Sequence, residues 1–198
     1  MTLKILNIEG CKLPLLFNMR NKMRKLTIKE LNRPSLEEFK KTEKIGLVII
    51  LDNIRSLNNI GSVFRTSDAF LVEKVFLCGI STPPPHPEIH KTALGAEDSV
   101  EWEYCTSPMD AISRLSEEGW TIVGIEQVEK SIMLGEFIPD KGKKYALILG
   151  NEVKGVMQEA IDQCDFCLEI PQQGTKHSLN ISVSAGIVIW HFYSRMME

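Results

Sequence analysis

Lys176-His177-Ser178-Leu179-Asn180-Ile181 (KHSLNI) comes after an apolar stretch ending in Ile170-Pro171 and opens the last apolar-periodic stretch of the chain. It sets a hydroxyl, a carboxamide and the free amides of a helix start at one strand-to-helix junction, where α/β proteins commonly bind ligands. Two other junctions echo it. NIGSVFR (Asn59 to Arg65) follows the apolar run 47–51, and GNEVKG (Gly150 to Gly155) follows 145–149. Three polar clusters, each just after a strand, argue for one composite site.

Working outward, strands and helices alternate in the manner of a parallel α/β sheet. Strands are expected over 47–51, 74–78, about 100–104, 121–125, 145–149 and 166–170. Helices are expected over 59–70, 108–118, 153–163 and about 178–196, with an amphipathic helix over about 35–44. On the final helix, Ile181, Ala185, Val188 and Phe192 form one apolar stripe and Val183, Ile187 and Trp190 a second. A helix apolar on two sides is buried twice, either against a second subunit or deep within its own chain. No internal repeat or low-complexity segment interrupts this order.

A chain of 198 residues with 43% apolar and 25% charged composition suits a single α/β domain with a full core. Apolar runs of about five residues fall far short of the roughly 18 that a membrane helix needs. No secretory cleavage pattern follows the N-terminus, so the cytoplasm is expected. Five cysteines give no disulfide framework and fit free thiols in a reducing compartment. Cys164 and Cys167 form a lone CxxC with no second pair at zinc-ligand spacing, so no metal is expected. His86 and His90 sit in PPPHPEIH, where the prolines argue for a solvated loop.

Charge is uneven. Residues 1–44 hold 11 Lys and Arg against 5 Asp and Glu, leaving 12 against 21 in the remainder. The division expected is a basic arm over 1–44, densest at Arg20, Lys22, Arg24, Lys25, Lys29 and Arg33, and a main domain over 45–198. The arm could add sequence-independent affinity for a polyanion, or simply be solvated, with a leader over 1–22 that is dispensable because Met19 or Met23 could equally start the chain.

Within the clusters, Gly61 would let backbone approach a ligand, and Arg65 would project a cation that suits phosphate. Gly150 and Gly155 would cradle a small ligand, with Glu152 presenting a carboxylate. No G-x-G-x-x-G or GxxxxGK[ST] follows a strand, which counts against dinucleotide and nucleoside triphosphate folds. Ser178 beside His177 does not make a catalytic triad, because adjacent side chains seldom face each other.

Together the three segments resemble the SpoU (TrmH-like) branch of the SPOUT RNA methyltransferases. NIGSVFRTSDAF over 59–70 is similar to that family's first motif, LILGNEVKG over 147–155 to its second, and LEIPQQGTKHSLNISVSAG over 168–186 to its third. The resemblance implies a parallel-sheet α/β fold with a C-terminal deep trefoil knot, and a homodimer through the last helix. It implies S-adenosyl-L-methionine as cofactor, S-adenosyl-L-homocysteine as product, and transfer of a methyl group to a ribose 2′-hydroxyl of tRNA or rRNA, with no membrane or DNA partner. Carried over by motif, the cofactor would contact Ile125, Glu126, Gln127, Leu149, Gly150, Asn151, Ile170, Pro171, Ser178 and Leu179. Arg65 would be the central catalytic residue, held by Asn59, with Glu152 fixing the site and Ser178 and Asn180 organising the ribose.

In this chemistry the sugar hydroxyl is the reluctant partner, since it must lose its proton during attack. A guanidinium resists deprotonation, so a cationic Arg65 that stabilises the developing alkoxide, while water or phosphate takes the proton, is favoured over Arg65 as base. One departure from the family's commonest pattern is Lys176-His177 before Ser178, a pair expected to face RNA phosphate and to bear on the substrate more than the reaction. The loop 81–97 carries no readable code, so recognition by shape and backbone is expected. The alternatives are an RNA-binding protein of the same fold without activity, which would be expected to lack Arg65 or Asn180, and an unrelated α/β enzyme, which would need three motifs by chance.

Overall fold

The computed structural model describes residues 23–197. It divides into a small unit, Met1–Pro34, and a large one, Ser35–Glu198. In the small unit a short 3-10 turn, Ile28–Leu31, is closed by Glu30, whose carboxylate accepts from Thr27 N (2.7 Å) and Thr27 Oγ1 (2.8 Å). The Arg24 guanidinium, followed by those Thr27 bonds, holds the Glu30 carboxyl down to about 2. The basic residues Arg20 and Lys22, and the leader over 1–22, lie outside the described residues.

The large unit opens with α1, Leu36–Lys41, capped by Ser35 and Glu38 in a reciprocal box. This helix is shorter than the expected 35–44, because Thr42 turns to an extended conformation and its hydroxyl closes on Glu38 O at 2.9 Å. Phe39 is buried in the core beneath the Lys44 ammonium, 3.6 Å from the ring centre.

Seven parallel strands follow: β1 Leu47–Asp52, β2 Lys74–Cys78, β3 Glu101–Cys105, β4 Thr121–Ile125, β5 Ile132–Met133, β6 Tyr145–Gly150 and β7 Phe166–Glu169. Their order across the sheet is β3-β2-β1-β6-β4-β7-β5. The two-residue β5 was not expected; it pairs Ile132 with Leu168 and Met133 with Glu169 at the edge, too short for its own periodic signal. The helices are α2 Leu57–Ala69, α3 Pro87–Ala93, α4 Ala96–Ser99, α5 Pro108–Glu117, α6 Gln158–Ile161 and α7 Ile181–Met197.

Alternate residues of β1 serve opposite faces, as a strand covered on both sides requires. Leu47, Ile49 and Leu51 join Ile60, Val63 and Phe64 of α2 and Ile181, Ala185, Val188 and Phe192 of α7 in one core. Val48 and Ile50 join Ala111, Ile112 and Leu115 of α5 and Ala160 of α6 in the other. Phe192 is fully buried, with Tyr145 5.2 Å and Phe137 5.7 Å away between ring centres; burial of such a side chain stabilises by about 1.5–3 kcal/mol. The first stripe of α7 is therefore core. The second is not: Val183, Ile187 and Trp190 remain exposed, which removes deep intramolecular burial as its explanation.

Three expected elements differ. The helix expected over 153–163 survives only as α6, because Asn151 Oδ1 accepts from Val153 N (3.1 Å) and Lys154 N (2.9 Å) and Gly155 has φ +68. The last helix begins at Ile181 instead of Ser178, since Asn180 Oδ1 accepts from Ser182 N at 2.9 Å and caps it. His86 and His90 are not in a solvated loop: Pro87 occupies the first turn of α3, where its missing N–H costs nothing, His86 caps that helix, and His90 bonds Glu97 at 2.6 Å.

Candidate active site

A cleft of about 490 Å³ opens where the C-terminal ends of β4, β6 and β7 meet, the usual ligand position of an open parallel sheet and a volume within the range of small-molecule sites. One wall is the loop 151–156, folded into a tight ring. Gly155 N donates to Asn151 O at 2.8 Å and the two residues form an antiparallel bridge. A Cβ on Gly150 would lie 1.9 Å from the Gly155 carbonyl carbon and 2.1 Å from Val156 N, so only glycine allows the ring to close.

Two carboxylates hold the far side of the ring. Glu126 Oε2 accepts from Val156 N at 3.0 Å, while its Oε1 accepts from Gln127 N at 2.9 Å. Asp52, fully buried at the end of β1, accepts from Met157 N at 2.9 Å and from Asn53 Nδ2 at 2.7 Å. A Cβ on Gly155 would fall 2.1 Å from Glu126 Oε2, so the glycine and the carboxylate are fitted to each other. Sequence reading passed over Asp52, whose charge ends an apolar strand and is legible only once Met157 is seen to fold back onto it.

The three polar junctions meet. Asn59 Nδ2 at the start of α2 donates to Glu152 Oε1 at 2.6 Å, and Asn180 Nδ2 donates to Asn59 Oδ1 at 3.3 Å. Residues 93 and 121 positions apart in sequence thus form one chain of hydrogen bonds. Asn180 also anchors α7 through Ser182 N and Ser182 Oγ, so the amides that open that helix are engaged rather than free.

Of the residues expected at the cofactor, Ile125, Glu126, Gln127, Leu149, Gly150, Asn151, Ile170, Ser178 and Leu179 line the cleft, together with Glu152. Pro171 does not; it is exposed beside the cleft. Asn59 and Asn180 stand next to it through Glu152. Arg65 is exposed on α2, outside the cleft lining, and makes no hydrogen bond or ion pair among the described residues. Six residues of helix place it about 9 Å along the axis and about 120° around from Asn59, and no hydrogen bond joins the two within the chain. Gly61 also differs from expectation: it faces α3, where a Cβ would lie 2.3 Å from Ile89 O and 2.2 Å from Thr92 Oγ1. Its role is helix packing, not ligand approach.

Sequence reading did not count Gln158, Gln172, His177 and Ser184 among the cleft residues, although all four line it. Gln158 lies three residues beyond the second motif and the other three lie within the third, and only the fold turns them inward. Behind the cleft, Cys164 and Cys167 pack on Gly124, where a Cβ would meet their sulfurs at 3.2 and 2.7 Å. Burial pushes both thiols up, Cys164 to about 12, which leaves them protonated and poor ligands for a metal. Among the described residues no group of three His, Cys, Asp or Glu could hold a metal ion.

A parallel sheet with its cleft at the strand ends, walled by a glycine-closed ring and joined to α2 and α7 by carboxamides, defines the class: a SPOUT-type methyltransferase fold. Residues 46–190 match the SpoU rRNA Methylase family, and the chain belongs to that family. It is 32% identical over 155 residues to the 23S rRNA (guanosine-2′-O-)-methyltransferase RlmB of Coxiella burnetii, a match covering 78% of this chain and 61% of that protein. The chain thus spans about three fifths of the length of this curated relative. Among solved structures, the TrmH/SpoU tRNA modifying enzyme of A. aeolicus superimposes with a TM-score of 0.72 at 23% identity, covering 82% of each chain. The AdoMet-bound rRNA methyltransferase of Sinorhizobium meliloti gives 0.72 at 23% identity, over 81% of this chain and 61% of that one. These likenesses establish the fold.

Proposed function

We propose that the protein transfers a methyl group from S-adenosyl-L-methionine to a ribose 2′-hydroxyl of tRNA or rRNA, releasing S-adenosyl-L-homocysteine. The observation that carries this reading is the hydrogen-bonded series Glu152, Asn59, Asn180 at the edge of the cleft. The residues present fit the cofactor. The cleft has the volume for a nucleoside-sized ligand, and Gly150, which admits no Cβ, leaves main-chain groups of 149–151 at the wall. Ile125, Ile170 and Leu179 would enclose its apolar parts, and Gln127 and Ser178 offer polar contacts. When bound, the cofactor supplies a methyl group on a positively charged sulfur.

Asn180 and Ser178 would orient the ribose, and Arg65 would stabilise charge developing on its oxygen. Arg65 lies away from the cleft of its own chain, which supports a homodimer in which each subunit lends this residue to the other's site. The exposed apolar stripe Val183, Ile187 and Trp190 supports α7 as the contact, with the Trp190 ring tilted against Phe70 (5.3 Å between centres) and Tyr193 (6.0 Å). The family further supports a knotted C-terminus. The surplus of Lys and Arg over 1–44 supports an RNA-contacting arm ahead of a methyltransferase domain over 45–198. The free buried thiols suit the cytoplasm; no helix among the described residues is long and apolar enough to cross a membrane.

The test is a map of 2′-O-methylated nucleotides in total RNA from strains with and without the gene, complemented by wild type or by Arg65→Ala. One nucleotide should lose its mark on deletion and regain it only with wild type. Loss of one oriented charge should cost about 10²–10³ in rate. An unchanged map, or full restoration by the variant, would refute the assignment.

A further inference from the structure

We infer that His177 is the general base that takes the proton from the attacking ribose hydroxyl. This rests on the methyl-transfer reading above and names the proton acceptor that reading lacks. The reaction must move one proton: the oxygen–hydrogen bond breaks, an oxygen–carbon bond forms, and the carbon–sulfur electron pair stays on sulfur. The released proton needs an unprotonated acceptor with a free lone pair beside the reacting oxygen.

Four titratable side chains line the cleft: Glu126, Glu152, Lys154 and His177. Glu126 spends both oxygens on main-chain N–H groups, Val156 and Gln127, and withdrawing it would release the ring 151–156. Glu152 is tied to Asn59 at 2.6 Å, and a carboxylate is by nature a base about two pK units weaker than an imidazole. Lys154 carries three donors and no acceptor in its charged form. The His177 side chain, like that of Lys154, has neither a hydrogen bond nor an ion pair among the described residues, but unlike the ammonium a neutral imidazole has a ring nitrogen available to accept. It precedes Ser178 and Leu179, which also line the cleft, so it sits in the segment assigned to the ribose. The charged groups facing it are Glu126 from β4 and Glu152 and Lys154 from the ring; Lys176 adjoins it in its own loop, and α6 and α7 contribute only Gln158, Ile161, Ile181 and Ser184, none titratable. Imidazole is the side chain most often used as a general base, and here it can pass the proton to solvent because the residue is exposed. The Lys176-His177 pair thus acquires a chemical role in place of phosphate contact alone.

The experiment compares wild type with His177→Gln and His177→Ala in single-turnover methyl transfer to total RNA from the deletion strain, from pH 5.5 to 9. Calorimetric titration with S-adenosyl-L-homocysteine and histidine-ring NMR provide readouts independent of turnover. The ring signal missing from His177→Gln should shift when S-adenosyl-L-homocysteine is added to wild type. The Gln variant should keep that ligand's affinity within about threefold and slow transfer by about 10²–10⁴. Its rate should lose the pH dependence that wild type shows, and free imidazole should restore at least part of the rate of His177→Ala. A Gln variant with an unaltered pH profile, or a ring signal indifferent to the ligand, overturns the role of His177 while leaving the methyl-transfer reading intact. Wild type that binds no ligand and transfers nothing overturns both.

Discussion

Replacing Gly150 with alanine tests the construction of the cleft directly. The new Cβ would stand 1.9 Å from the Gly155 carbonyl carbon and 2.1 Å from both Gly155 O and Val156 N. These are main-chain atoms, so no rotamer relieves the clash; the ring 151–156 must lift. Lifting it breaks the Gly155 N–H bond to Asn151 O (2.8 Å) and the Val156 N–H bond to the Glu126 carboxylate (3.0 Å). A neutral bond contributes about 1 kcal/mol and one to a charged group about 1.5–3 kcal/mol, so the expected loss is about 2.5–4 kcal/mol. For a domain of this size that lowers Tm by about 5–15 °C. The assay is thermal unfolding followed by circular dichroism, with calorimetric titration of S-adenosyl-L-homocysteine, whose binding should weaken at least tenfold. Gly135→Ala is the control: nothing lies within 4 Å of its Cβ, and it should shift stability by no more than about 0.5 kcal/mol. A Gly150→Ala protein that melts within 2 °C of wild type, at about that precision, would refute the packing argument.

Trp190→Glu should convert a sedimenting dimer to monomer, since a central interface Trp commonly contributes 2 kcal/mol or more, a dissociation constant raised at least about thirtyfold; wild type that sediments as a monomer would remove α7 as an interface. Loss of the Phe70 and Tyr193 contacts should cost the fold only about 0.5–1.5 kcal/mol, because Trp190 is already 53% exposed. The buried thiols predict an alkaline limb: Cys164 is raised by burial to about 12 and Cys78 is raised by burial as well, so the folded state favours the protonated form. Their contribution is full below about pH 8.5, the value of an unfolded thiol, and is lost as pH rises toward and through the folded values. Urea midpoints should fall between about pH 8.5 and 11, and fall less in Cys164→Ala; identical slopes in the two proteins would contradict this.

Much of the architecture was legible in the chain because apolar alternation is a local signal. β2 and β4 lie where periodicity places them, and β1, β6 and β7 differ by one residue. The misses were also local in cause. An Asn151 side chain competing for the amides of Val153 and Lys154 cancelled the first turns of an expected helix, and a proline counted as a breaker at Pro87 became a helix start.

From the sequence alone came the order of strands and helices, the three polar clusters and the resemblance those clusters carry, since each rests on residues close together in the chain. Tertiary structure alone decided that Asn59, Glu152 and Asn180 bond to one another, that Gly61 serves α3 and not a ligand, and that His177 lines the cleft while Arg65 does not. Contacts across 93 or 121 residues depend on strand order and on which face of a helix is buried, and no periodicity within a single element records either.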